Sequence, residues 1–196
     1  MDLARRGRST AVSGFLLGGA IGIISSTQTW LIVQRADGGA DIPVPGASAL
    51  PLLAPLSLAV LALGAALSIT GPALRLVFGV LAGAVALLLG WGTLQLLVTT
   101  PTGAVASTVT DTTGLAGAGA LEGVVAAIVP TAWPAISLAG WVILLLAAAV
   151  VLLTWRSWKS GGRRYRTDAS APVASAGPVD AIDSWDELSR GTDPTR

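Results

Sequence analysis

The chain has 196 residues, 53% of them hydrophobic and 12% charged, with a formal net charge of +1. Soluble domains carry about a quarter charged residues, so an ordinary water-soluble domain is excluded. With no cysteine and no histidine, disulfides, thiolate metal sites, thiol nucleophiles and imidazole acid–base chemistry are excluded as well.

Four stretches lack any charge: 9–34, 42–74, 76–110 and 123–155. Each is longer than the ~20 apolar residues needed to cross a ~30 Å hydrocarbon core. A backbone crosses that core only as helices or as a closed barrel. Runs such as "VILLLAAAVVLL" (142–153) do not alternate as barrel strands must. The expected fold is therefore all-α: an integral membrane four-helix bundle over 11–155, with spans at 11–33, 52–70, 74–98 and 132–155 and a disordered cytoplasmic C-terminal tail.

Residues 1–10 form a short basic N-terminus. A basic start followed by "AVSGFLLGGAIGII" has the layout of a signal peptide, but the small-x-small cleavage pattern is poor near "SSTQTW". The first segment is read as a retained helix. In it Gly14, Gly18 and Gly22 share one face, and Gly79 and Gly83 repeat the spacing in the third span. Small residues let membrane helices approach closely. Packing within the bundle is preferred here over a face between two chains.

At the end of the first span, Ser25, Ser26 and Gln28 of "SSTQTW" cluster polar groups; Thr93 and Gln95 lie toward the same end of the third. Together they make a candidate outer polar cavity. The alternative is that the hydroxyls bond their own helix carbonyls and the amides reach interfacial water. "QRADGGADIPVPGAS" reads as a solvated turn. "TGPALR" (70–75) is a tight connection that makes the second and third spans an antiparallel hairpin. Region 99–131 is small and mildly apolar, with one or two short surface helices expected. Its "GLAGAGALEG" follows no strand, so it fails as a nucleotide fingerprint. Trp30 and Trp133 near one boundary, and Trp155 and Trp158 near the other, are expected to anchor in the headgroup region. Trp91 and Trp141 lie deeper and are expected to pack against small residues.

Residues 156–182 begin with a basic strip, Arg156, Lys159, Arg163, Arg164 and Arg166. Each such cation gains roughly 1 kcal/mol beside an anionic leaflet, so lipid contact is expected and nucleic-acid binding is not. A Pro/Ala/Ser/Gly linker follows, "TDASAPVASAGPV" (167–179), expected to be disordered. The last segment, 183–196, holds a compact motif. Ser184 and Glu187 have capping-box spacing, Gly191 suits a helix stop with Pro194 beyond it, and Trp185 and Leu188 share a face. A helix this short does not persist alone in water. It is read as a partner-binding tail: Trp185 and Leu188 as anchors, with Asp186, Arg190, Gly191, Asp193 and Pro194 around them.

Lys and Arg are retained on the cytoplasmic side. Arg5, Arg6 and Arg8 precede the first span, Arg75 marks the turn between the second and third, and the basic strip follows the fourth. The alternate loops hold only Arg35 beside Asp37, Asp41, Asp111 and Glu122. Both ends are therefore expected in the cytoplasm, with the protein multi-pass in the plasma membrane.

Four stretches, "SSTQTW", "TAWP" (131–134), "RRYR" (163–166) and above all "WDELSRGTDPT" (185–195), make the chain similar to a known family. It resembles the tryptophan biosynthesis-associated membrane proteins of high-GC Gram-positive bacteria, in order and spacing over nearly its whole length. It departs from the family pattern at Thr192 and at Glu187, and the second departure bears on the capping box. The resemblance implies four spans and a link to tryptophan biosynthesis, but no catalytic residues. Trp30, Trp133, Pro134, Tyr165, Trp185, Gly191, Asp193 and Pro194 are where the shared motifs fall.

No Asp or Glu lies within the four spans, although proton-coupled transporters place such groups inside the membrane. With no buried carboxylate, His or Cys, an embedded enzyme is not expected, nor is a cofactor or metal. The leading expectation is an accessory protein that recruits a cytoplasmic partner through its tail. Facilitated passage of tryptophan, indole or a related aromatic metabolite is the alternative. A purely structural subunit also fits the glycine faces, and the oligomeric state is left open.

Overall fold

The computed structural model describes residues 3–115, 117, 119, 123–156 and 158, with side chains described from residue 7 onward. The linker, the tail motif 183–196, and Lys159, Arg163, Arg164 and Arg166 of the basic strip lie outside the described residues.

In chain order, α1 (Leu3–Thr27) leads into strands β1 (Thr29–Arg35) and β2 (Ile42–Pro45), then the single turn α2 (Gly46–Ala49). Helices α3 (Leu53–Leu67) and α4 (Pro72–Thr99) follow, then a 3-10 turn and α5 (Ala106–Thr113). Strand β3 (Val125–Pro130) returns the chain to α6 (Trp133–Thr154). Pro72 and Pro134 sit in the first turns of α4 and α6, where a missing N–H costs nothing.

The long helices pack in alternating directions, as their close approaches show. A methyl group on Gly14 would lie 2.5 Å from Ala147 Cβ, and one on Gly18 would lie 3.0 Å from Leu144 Cβ. One on Gly22 would collide with Trp141 and with Ser57 Oγ. As α1 advances, its α6 neighbours run backward, so the two helices are antiparallel. Gly79 abuts Val151 and Leu152 while Gly83 faces Ala148, which sets α4 antiparallel to α6. Gly64 meets Phe15 and Gly19 meets Leu61, doing the same for α1 and α3. Between the helices lie buried Phe15, Leu53, Val60, Leu89, Trp141 and Leu144. Leu87, Leu146, Leu153 and many other aliphatics point outward, as helices in contact with lipid require.

Three helices are long and apolar enough to cross a membrane: Gly7–Thr27 within α1, Pro72–Thr99 and Trp133–Thr154. The fourth, α3, has 15 residues and at 1.5 Å per residue reaches only about 22 Å.

The all-α expectation is corrected by a three-stranded sheet of order β2-β1-β3. The span assigned to 11–33 ends as a helix at Thr27, and "TWLIVQR" continues as β1. β1 pairs antiparallel with β2 (Val33↔Ile42) and with β3 (Ile32↔Val129, Val33↔Ile128). Its β-branched and aromatic side chains prefer a pleated surface. A short apolar run cannot be told from a helix end by periodicity. Leu31, Val33, Ile42 and Val44, on one face of the sheet by their pairing register, are buried, as are Trp30 and, beside and within α5, Val105 and Val109. The "solvated turn" is thus a hairpin with structure of its own. Region 99–131 holds, among its described residues, a 3-10 turn, the short helix α5, further helical residues at 123–124 and the strand β3.

Arg75 does not mark a turn. It lies in α4 and is 3% exposed.

Candidate functional site

Two of the sequence motifs, a hundred residues apart, meet where α1 ends and α6 begins. Gln28 N–H closes a turn onto the Ser25 carbonyl (3.1 Å), which points the chain out of α1 into β1. Trp30 of β1 is fully buried, and its indole N–H donates to Ser25 Oγ at 2.8 Å. Ser25 Oγ in turn shares a 2.6 Å hydrogen bond with Ser137 Oγ of α6. From the other motif, Thr131 N–H donates to the Trp30 carbonyl (2.9 Å) and Thr131 Oγ1 to the Thr29 carbonyl (2.7 Å). Trp133 N–H donates to Thr131 Oγ1 at 3.3 Å. "SSTQTW" and "TAWP" therefore form one hydrogen-bonded joint linking α1, the sheet and α6.

Above this joint lies an open groove of about 560 Å³, lined by Gln28, Thr29, Ile32, Asp41, Pro43, Thr131, Ala132 and Trp133. It offers an indole, one carboxylate, an amide and hydroxyls. Such a set can recognise a ligand; it contains no nucleophile–base pair. Nearby, Arg35 Nε donates to Asp37 Oδ1 at 2.8 Å, with a second hydrogen bond from Nη2 to Oδ2. Gly39 N–H donates to the same Asp37 Oδ1 at 3.0 Å. The Arg35 hydrogen bonds, aided by Gly39, bring the Asp37 carboxyl down to about 2. The same pairing raises the Arg35 guanidinium.

The five residues of the candidate polar cavity do not share one space. Ser25 and Thr93 are fully buried. Thr93 Oγ1 donates to the Leu89 carbonyl (2.7 Å) and accepts from the Trp141 indole (3.3 Å). Ser26 donates to the Ile23 carbonyl (2.7 Å). Gln28 faces the groove, whereas Gln95 lines a separate surface hollow of about 160 Å³ with Trp91, Leu94, Val98 and Thr99. Gly14, Gly18 and Gly22 face α6, and Gly79 and Gly83 face α6 from the other side. Arg156 stacks over Trp155, 4.7 Å from the ring centre.

Of the tryptophans expected at membrane boundaries, Trp30 and Trp158 are buried. Their N–H groups are satisfied inside the protein, by Ser25 and by Thr154 (2.9 Å). Thr131 belongs to the "TAWP" motif and Asp41 to a loop read for its charge, but neither they nor Pro43 were read as lining a site. The available signal was the pairing of the two motifs, which spacing alone does not reveal. Among the described residues, no group of three or more His, Cys, Asp or Glu is placed to hold a metal ion.

Packed antiparallel helices with lipid-facing aliphatics, three of them long enough to span, define a multi-pass membrane protein. The chain belongs to the family of tryptophan-associated transmembrane proteins, whose match covers residues 12–195. The resemblance read from the motifs is thereby shown, and the match runs through the tail. No curated protein and no solved structure matches the chain.

Proposed function

We propose that this protein is a non-enzymatic accessory of tryptophan biosynthesis, held in the plasma membrane by four crossings with both ends in the cytoplasm. Its role is to recruit a cytoplasmic partner through residues 183–195, with Trp185 and Leu188 as anchors. The observation that carries this reading is that the hydroxyls and the indole buried between the helices toward the sheet end, those of Ser25, Ser57, Thr93, Ser137 and Trp141, bond within the protein. Glycines close the seams between helices, leaving little for a solute to use there. The tail, by contrast, lies within the family match, and its sequence holds an indole, a leucine and charges of both signs.

The test is capture of partners from lysate by the full-length protein in detergent, beside its Trp185→Ala/Leu188→Ala variant. A partner held by the parent and lost by the variant supports recruitment; identical capture by both rejects it.

A second reading, facilitated movement of an aromatic metabolite, is favoured by the Trp133 wall and Asp41 carboxylate of the groove. Vesicles containing the protein should then speed tryptophan or indole flux, and deletion of 180–196 should leave that flux intact. Flux equal to that of empty vesicles removes this reading.

A further inference from the structure

At the end of the bundle opposite the sheet lie Arg8 and Arg75, with no acidic residue beside them among the described residues. Arg75 is 3% exposed. Its Nη1 donates to the Trp158 carbonyl at 3.2 Å, and its guanidinium lies 5.2 Å from the centre of the Trp158 ring. Its Nε is buried with no acceptor. The described acidic residues, Asp37, Asp41 and Asp111, all belong to the sheet end. Arg8 is close enough for the two like charges to act on each other. A buried cation facing another cation, at the edge of hydrocarbon, calls for an anion.

Beside this pair, the seam between α1 and the end of α3 opens into a groove of about 300 Å³. It is lined by Arg8, Ser9, Val12, Ser13 and Ser68. Residues 8, 9, 12 and 13 share one face of α1 by helical spacing. The Ser68 hydroxyl is committed to the Ala65 carbonyl (2.6 Å). Ser9 and Ser13 make no hydrogen bond among the described residues, so a guanidinium and two free hydroxyls converge on one space. Along α1 the surface beyond the groove turns apolar, with Leu16 41% and Leu17 56% exposed.

We propose that this groove binds the phosphodiester of an anionic phospholipid, with Arg8, Ser9 and Ser13 as donors and Arg75 supplying field from behind. Arg, unlike Lys, presents a planar fork suited to phosphate oxygens. The aliphatic continuation along α1 matches the acyl chains, which free phosphate lacks. Basic pockets between membrane helices are a known means of holding lipid headgroups.

The experiment titrates the full-length protein, in neutral detergent, with phosphatidylglycerol, phosphatidylcholine and inorganic phosphate, read by native mass spectrometry. Phosphatidylglycerol should bind in preference to the other two. Arg8→Gln should weaken it about fivefold, the value of one basic contact near a lipid surface. Ser13→Leu, which fills the groove and leaves every charge in place, should weaken it comparably, and Arg8→Lys should recover part of the loss. Unchanged lipid affinity in Ser13→Leu would overturn the site, because binding would then be diffuse attraction to the basic residues. Equal binding of phosphatidylcholine would overturn the selection for negative charge. Binding of inorganic phosphate as tight as that of the lipid would overturn the lipid as its source.

Discussion

Ser25 and Ser137, 112 positions apart, share a 2.6 Å hydrogen bond in which Ser25 also accepts the buried indole N–H of Trp30. One hydroxyl therefore joins α1, the sheet and α6. Ser25→Ala strands the Trp30 donor and the Ser137 hydroxyl together, and should cost about 1–3 kcal/mol. Ser137→Ala should cost less, because Ser25 still serves Trp30. Thermal unfolding in detergent should show the double variant losing less than the sum of the singles, as coupled residues do. Strict additivity would mean that the two hydroxyls act independently.

The glycines make a graded prediction. A methyl on Gly14 meets the Cβ of Ala147 at 2.5 Å, whereas one on Gly83 finds the Cβ of Ala148 at 3.8 Å. Gly14→Ala should therefore destabilise by about 1–3 kcal/mol through overpacking. Gly83→Ala should be neutral or mildly stabilising, since alanine is the better helix former. Equal melting temperatures for the two would contradict the closeness of the α1–α6 seam.

Acid should loosen the β1–β2 hairpin through Asp37. Its carboxyl titrates at about 2, held down first by Arg35 and then by Gly39; an ordinary aspartate titrates near ~3.9. A depressed folded value stabilises above the unfolded one and loses its effect as pH falls through about 2. Carbon-detected NMR titration should find this low value in the parent protein. Arg35→Gln should return it toward the ordinary range, and an unchanged Asp37 in that variant would discard Arg35 as the cause.

Topology gives a prediction that turns on α3, the short helix. The chain has no cysteine, so single cysteines report cleanly on sidedness. Ala40→Cys, in the exposed hairpin loop, should react with an impermeant maleimide on intact cells. Gly71→Cys, exposed between α3 and α4, should react only after permeabilisation. Reaction of both from outside would mean that α3 does not cross.

The helices were legible because a charge-free run longer than the bilayer is thick has few other fates. α4 and α6 fall within two residues of the spans read for them. The sheet was not legible. β1 and β3 are apolar segments that resemble frayed helix ends, and their pairing spans about a hundred residues, beyond any local pattern. Arg75 misled for a related reason: a cation near a predicted turn reads as solvated, while its burial depends on Trp158, which arrives 83 positions later. The glycine spacing in "GFLLGGAIG" marked a packing face, but only the folded chain shows that α6 occupies it.

By itself the sequence determined that this protein lives in a bilayer, where its basic clusters fall along the chain, and which family it resembles. Those properties follow from composition and from the cost of placing charge or unpaired backbone in hydrocarbon. Tertiary structure alone decided that two distant motifs form one joint, that the sheet caps one end, and that Arg75 lies buried against Trp158 at the other. Each depends on contacts between residues far apart in the chain, and a hydrogen bond or buried charge has no energetic meaning until its neighbours are in place.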